Sequence, residues 1–320
     1  MGILSGRPRP VASLRAAGSA WLGFVPLSHS LSFAPFFHTG GWNVLFTPFL
    51  HTGASHTLLK GFEPEEILGL ITREKVSLLF GVPTMMQMLA DVPGFEECDL
   101  SSMRYAIVGG APMPVPLINR WHAKGVFIRQ GYGLTEVGPN CYSLHQDRAI
   151  DKRGSIGFPN FYIEARVVDR EGRDCGPDEI GELWLRSEVV TPGYWRNPEA
   201  TAEAITDGWF HTGDMVRCDA EGFTYVMDRK KNMYISGGEN VYPAEVEAVL
   251  VSHDTVREAA VIGVPHDVKG DVPKAFVTLN VGVEKTDDLI KEMLKARKDA
   301  GILNETAFDE IETEDGSQED

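Results

Sequence analysis

The sequence predicts an α/β protein: a large domain with mixed sheets, helices and an antiparallel region, followed by a small α+β domain. Three observations lead there. Between Phe62 and Pro114, short apolar runs of strand length alternate with amphipathic runs of helix length, the rhythm of a sheet covered by helices. From Ile163 to Val168 the side chains alternate with period two, as in an antiparallel sheet with one solvated face. At 320 residues and 43% hydrophobic composition, the chain is long enough for one large and one small core.

Residues 1–30 are an unassigned leader, without Asp or Glu but with Arg7, Arg9 and Arg15; an organelle transit peptide is one reading of it. The apolar run after Trp21 is broken by Pro26, Ser28, His29 and Ser30, too short and polar to cross a membrane. The next stretch is aromatic (Phe33, Phe36, Phe37, Trp42, Phe46, Phe49) and reads either as the start of a buried helix behind a turn or as the wall of a ligand site. Phe62 to Glu74 places Glu63, Glu65 and Glu66 in a first turn and Ile67, Leu70 and Ile71 on one face, which predicts an amphipathic helix. Val76 to Val82 reads as a buried strand ended by Pro83, with Thr84 as cap of the following helix. Tyr105 to Val108 is a second buried strand running into Gly109-Gly110, and a glycine pair at the carboxyl end of a parallel strand lies where open α/β sheets bind ligands. A helix over 116–124, a strand over Phe127 to Gln130, and antiparallel strands around Ile163 to Val168 and Gly181 to Arg186 follow. The loop Pro192-Gly193-Tyr194-Trp195 reads as scaffold.

Asp207 to Asp214 and Asp228 to Glu247 form the most informative blocks. Asp214 follows a Thr-Gly turn, which predicts a carboxylate at the end of a tight loop, able to accept from both hydroxyls of a vicinal diol such as ribose. Arg229, at a turn fifteen positions on, offers a fixed fork of donors to the same sugar or to a phosphate. A surface ion pair is the alternative for either residue. Pro243 then opens a helix, Ala259 to Val264 and Ala275 to Val281 read as strands, and Thr286 caps a last helix ending near Lys298.

The formal charge of −16 argues against nucleic acid as a partner, since phosphate contacts need clustered Lys and Arg. Cys98, Cys141, Cys175 and Cys218 are spaced for neither a zinc site nor a disulfide framework, which points to a reducing, cytoplasmic setting. No transmembrane segment is expected.

Taken together, Gly109-Gly110-Ala111-Pro112-Met113-Pro114, Gly131-Tyr132-Gly133-Leu134-Thr135-Glu136, Thr212-Gly213-Asp214 and Asp228-Arg229-Lys230-Lys231 resemble, in order, the motifs of the adenylate-forming superfamily, of the acyl-CoA synthetase or fatty-acid–CoA ligase type. The resemblance covers roughly Leu31 to Glu312. It implies a large AMP-binding domain represented by 31–230, a small hinged C-terminal domain over 231–312 and an acidic tail over 313–320. It also implies ATP or AMP, Mg²⁺ and coenzyme A as cofactors and a small carboxylic acid as substrate. By the resemblance, Gly109, Gly110, Ala111 and Gly131 wall the adenine and acyl site, Tyr132 stacks on adenine, Thr135 binds the α-phosphate, and Glu136 holds Mg²⁺. Asp214 and Arg229 hold the ribose, Lys231 is the pivot of the small domain, and Gly237 and Gly238 flank the pantetheine tunnel. Pro35-Phe36-Phe37-His38-Thr39-Gly40-Gly41 resembles the motif whose His borders the acyl pocket. Gly133 stands where acetyl-CoA synthetases carry a pocket-closing Trp, so the acid is expected to be larger than acetate. A medium or long fatty acid comes first, also because Ala300 to Glu312 resembles the C-terminal run of fatty-acid ligases, and an aryl acid comes second. The family's phosphate loop, Ser/Thr-Gly-Thr-Thr-Gly-x-Pro-Lys-Gly, has no counterpart, and no basic residue follows Lys298 where a terminal Gly-Lys is expected. The expected function is therefore an ATP-dependent acyl-CoA synthetase truncated at both ends and impaired for adenylation. The alternative is a nucleotide- or acyl-adenylate-binding fragment without turnover.

Overall fold

Three parallel strands, Leu78–Gly81, Tyr105–Val108 and Phe127–Leu134, pair in that order at the heart of the larger part of the molecule. The computed structural model describes residues 25–236, 239–266 and 270–280, with 282, 283, 286, 289 and 311–314. Alternation along these strands sends successive side chains to opposite faces. Leu79, Ala106, Val108 and Ile128 point into a cluster with Ile67, Ile71, Met86, Leu89 and Trp121, which come from the helices Pro64–Arg73, Pro83–Ala90 and Val115–Ala123. Leu78, Tyr105 and Ile107 point the other way, against Val44, Leu45 and Phe49. Burial on both faces explains why Leu78–Gly81 and Tyr105–Val108 are apolar throughout, while the third strand also buries Arg129 and Gln130. The sheet continues antiparallel through Gly138–Ser143 to Phe158–Pro159, so the direction of pairing changes at the strand that carries Tyr132.

The aromatic stretch is helical over 39–52, and its centre, Trp42–Phe46, is a π-turn. It packs beside a small parallel pair, His29–Ser32 with Ser55–Leu58. The helix expected from Phe62 to Glu74 forms as Pro64–Arg73. Thr84 does not cap the next one: Pro83 already occupies the first turn and Val82 sits in the extended cap position, which puts Thr84 inside the helix.

A second sheet holds Glu164–Val168, Ile180–Arg186, Trp209–Cys218 and Ile205–Thr206, with Thr224–Arg229 also paired to Trp209–Cys218. The chain divides into two compact units, the first ending at Thr212 but including Arg217–Val226, the second comprising Gly213–Val216 and the chain from Met227 on. The second unit has its own sheet, built on the long antiparallel pair Val256–His266 and Gly270–Leu279. Helix Pro243–Val251 buries Val246 and Leu250 against Val261, Val277 and Leu279 of that sheet. The helix expected after Thr286 lies outside the described residues, save that the Leu289 amide donates to Thr286 Oγ1 at 3.2 Å. No described helix is long and apolar enough to cross a membrane.

Candidate active site

In the first unit, the carboxyl ends of the parallel strands open onto a cavity of about 250 Å³ whose lining includes His38, Val44, Phe80, Gly109, Gly131 and Gly133. Apolar side chains and bare glycine backbone dominate it: Gly109 and Gly110 follow directly on the strand Tyr105–Val108, and Gly131 and Gly133 lie within Phe127–Leu134. His38 caps the start of the 39–52 helical segment, its Nδ1 accepting from the Gly40 amide at 3.0 Å. That bond leaves the proton on Nε2, so the ring offers a donor. Gly110 lies at the cavity rim, and Ala111 follows it on the exposed loop. The loop is anchored by buried Gln130, whose Oε1 accepts from the Met113 amide at 3.0 Å and whose Nε2 donates to the Gly154 carbonyl at 3.2 Å.

Gly133 has a steric reason to be glycine that the sequence does not reveal. A Cβ there would stand 2.2 Å from the Pro139 carbonyl carbon, so strand and neighbour approach too closely for any side chain. The residue borders the cavity, but its substitution by Trp would disturb the backbone before it filled the pocket.

Tyr132 is half-buried and meets Tyr142 edge to face at 6.1 Å. The strand runs to Leu134 and turns back through Thr135 and Glu136 without forming a helix. Thr135 is exposed and Glu136 half-buried. The Glu136 carbonyl accepts from the Thr191 amide at 2.7 Å, and its carboxylate Oε1 accepts from Tyr194 Oη at 3.0 Å. Burial and the neighbouring Glu136 push the Tyr194 phenol up to about 12, so it stays a neutral donor. Tyr194, read from sequence as scaffold, thus touches a candidate site residue; 58 positions separate the two, and no local pattern joins them. Among the described residues no group of three or more His, Cys, Asp or Glu is arranged to hold a metal. A single hard carboxylate suits Mg²⁺, which takes one or two protein carboxylates and completes its shell with water and phosphate oxygens.

In the second unit, Asp214 is almost fully buried and Arg229 Nε donates to its Oδ1 at 2.6 Å. Asp214 is not at the end of a loop, as its Thr-Gly context suggested: it lies in the middle of the ten-residue strand Trp209–Cys218, and Arg229 ends the strand paired with it. Strand pairing, not a turn, brings the two together across fifteen positions. The Lys230 amide donates to the Gly213 carbonyl at 2.8 Å, and Lys231 follows on an exposed turn. Gly237 and Gly238 lie outside the described residues.

A glycine-walled cavity at strand ends, a Tyr-Gly-Leu strand end turning through Thr-Glu, and a buried Asp held by an exposed Arg of the paired strand are features of an AMP-binding enzyme. The family model for AMP-binding enzymes matches residues 11–195 and that for the AMP-binding enzyme C-terminal domain matches 245–304; the chain belongs to this family. It is 41% identical over 268 residues to a feruloyl-CoA synthase of Amycolatopsis sp, covering 84% of this chain and 55% of that protein. It is 36% identical over 282 residues to the long-chain-fatty-acid–CoA ligase FadD13 of Mycobacterium tuberculosis, covering 85% and 55%. The o-succinylbenzoate CoA synthetase MenE of Bacillus subtilis, solved with its acyl-adenylate intermediate, superposes with a TM-score of 0.82 at 32% identity, over 98% of this chain and 64% of that one. The chain therefore spans little more than half the length of the curated relatives it matches.

Proposed function

We propose that this chain carries the acyl- and adenylate-binding part of an ATP-dependent acid–thiol ligase whose acid is compact and aromatic. In such a reaction a carboxylate oxygen attacks the α-phosphorus of ATP and pyrophosphate leaves; the thiolate of coenzyme A then attacks the acyl carbon and AMP leaves. Tyr132 offers a flat face to adenine, Asp214 accepts from ribose hydroxyls beside Arg229, and Thr135 donates to the α-phosphate. Glu136 would hold Mg²⁺, which when bound offsets the charge of the phosphates. Lys231 is the pivot of the small domain.

The observation that carries this reading is the cavity. At about 250 Å³ it falls just below the usual range of ligand pockets, roughly 300–1,000 Å³, and Phe37, Phe80 and Pro139 give it flat walls. A ring fits such a space better than a long acyl chain, so an aryl acid takes precedence over the fatty acid expected first from sequence. The feruloyl- and succinylbenzoyl-activating relatives support the same order. Calorimetry on the 320-residue chain with an aryl-sulfamoyl adenosine and its hexadecanoyl counterpart tests it. At least tenfold tighter binding of the aryl compound is expected, and preference for the alkyl one would overturn the choice of acid.

A further inference from the structure

We propose that Tyr194 is a positioning residue for the Glu136 carboxylate, a neutral donor that fixes which oxygen lone pairs Glu136 turns towards a divalent cation; this rests on the reading of Glu136 as the Mg²⁺ ligand. The Tyr194 hydroxyl donates to Oε1 at 3.0 Å, leaving Oε2 and one lone pair of Oε1. The identity of the donor matters. A lysine or arginine here would neutralise the carboxylate and repel a cation, whereas a phenol orients it and leaves its charge in place.

The segment carrying Tyr194 is built to hold that hydroxyl still. The Thr191 amide is bonded to the Glu136 carbonyl at 2.7 Å, so main chain and side chain of Glu136 are both gripped by one loop. The Tyr194 amide donates to Thr201 Oγ1 at 2.9 Å, and Thr201 Oγ1 donates to the Asn197 carbonyl at 2.8 Å. Asn197 Oδ1 in turn caps helix Pro198–Ala204 through the Ala200 amide. Gly193 has φ of +146° and approaches Thr201 so closely that a Cβ would lie 2.6 Å from Cγ2, which sets the direction in which the following tyrosine leaves the chain. Five residues are thus spent on the placement of one hydroxyl over Glu136.

The test is Mn²⁺ binding to the full chain in the presence of ATP, read by electron paramagnetic resonance, with metal-free AMP affinity and thermal melting as controls of fold. Tyr194→Phe, which removes one oxygen, should weaken Mn²⁺ binding about tenfold, the scale of loss for groups that orient metal ligands, with both controls unmoved. Glu136→Gln should abolish it. Wild-type Mn²⁺ affinity in Tyr194→Phe together with loss in Glu136→Gln would overturn the role of Tyr194 alone. No Mn²⁺ site in the wild type, or one insensitive to Glu136→Gln, would overturn both the role and the reading beneath it.

Discussion

At Gly133 the backbone of Pro139 leaves no room for a side chain, so Gly133→Ala is expected to cost about 1–3 kcal/mol of stability by overpacking. A thermal melt checks it, and an unchanged midpoint would mean the strands separate freely there. His56 gives a second prediction at this scale. It packs on Phe46 and Phe49, at 5.3 and 4.6 Å between centroids, and burial lowers its pKa from 6.5 to about 4. An unfolded chain takes up this proton near 6.5 and the folded chain only near 4, so the unfolded state binds more protons in between. Stability is therefore present above pH 6.5 and lost as pH falls towards 4. The ceiling is roughly 3 kcal/mol, reduced to about 1–2 by partial solvent access. His56→Phe should flatten the dependence of urea midpoint on pH across that window, and an equally steep profile would contradict the assignment.

Among the elements, those whose signal is local were legible in the sequence. Pro64 with Glu65 and Glu66 ahead of Ile67, Leu70 and Ile71 specifies a helix start and a buried face within eight residues, and Pro243 does the same for Pro243–Val251. What escaped depends on partners distant in sequence or on main-chain detail. The strand around Asp214 is set by its neighbours in the sheet, so a Thr-Gly pair that reads as a turn is carried inside a ten-residue strand, with Gly213 left-handed at φ +69°. The π-turn at Trp42–Phe46 has no residue signature, and Tyr194 meets Glu136 only through the fold. Asp228 shows the same long reach. Largely buried, it accepts from the Arg229 amide at 2.6 Å, from Asn232 Nδ2 at 2.9 Å and, with its other oxygen, from the Ala244 amide at 2.9 Å. It thereby satisfies a donor at the start of helix Pro243–Val251 from outside that helix. Asp228→Ala strands three donors and should cost about 1–3 kcal/mol. Hydrogen exchange over 243–251 should rise accordingly; unaltered protection there would show that the helix start does not need Asp228.

For the molecule as a whole, 46 acidic against 30 basic residues leave a field that opposes compaction. Raising NaCl from about 0.02 to 0.2 M shortens the Debye length to below roughly 10 Å and should raise the melting temperature; a fall would mean that favourable ion pairs outweigh the net repulsion. Division into a large and a small α/β unit was readable from the order of helix-like and strand-like runs, but the path of the chain between them was not. Residues 213–216 belong to the second unit, and the chain then returns to the first for 217–226. That returning stretch is needed: the Thr224 carbonyl accepts from the Ile156 amide and Ser155 Oγ, and Phe223 packs on Leu144 and Ala149. On the ribosome, where domains tend to fold in order of emergence at about 5–20 residues per second, the larger unit cannot close until the opening residues of the smaller one have already left the tunnel. A nascent chain stalled with nothing beyond Thr212 exposed should therefore remain protease-sensitive, and one exposed through Val226 should resist.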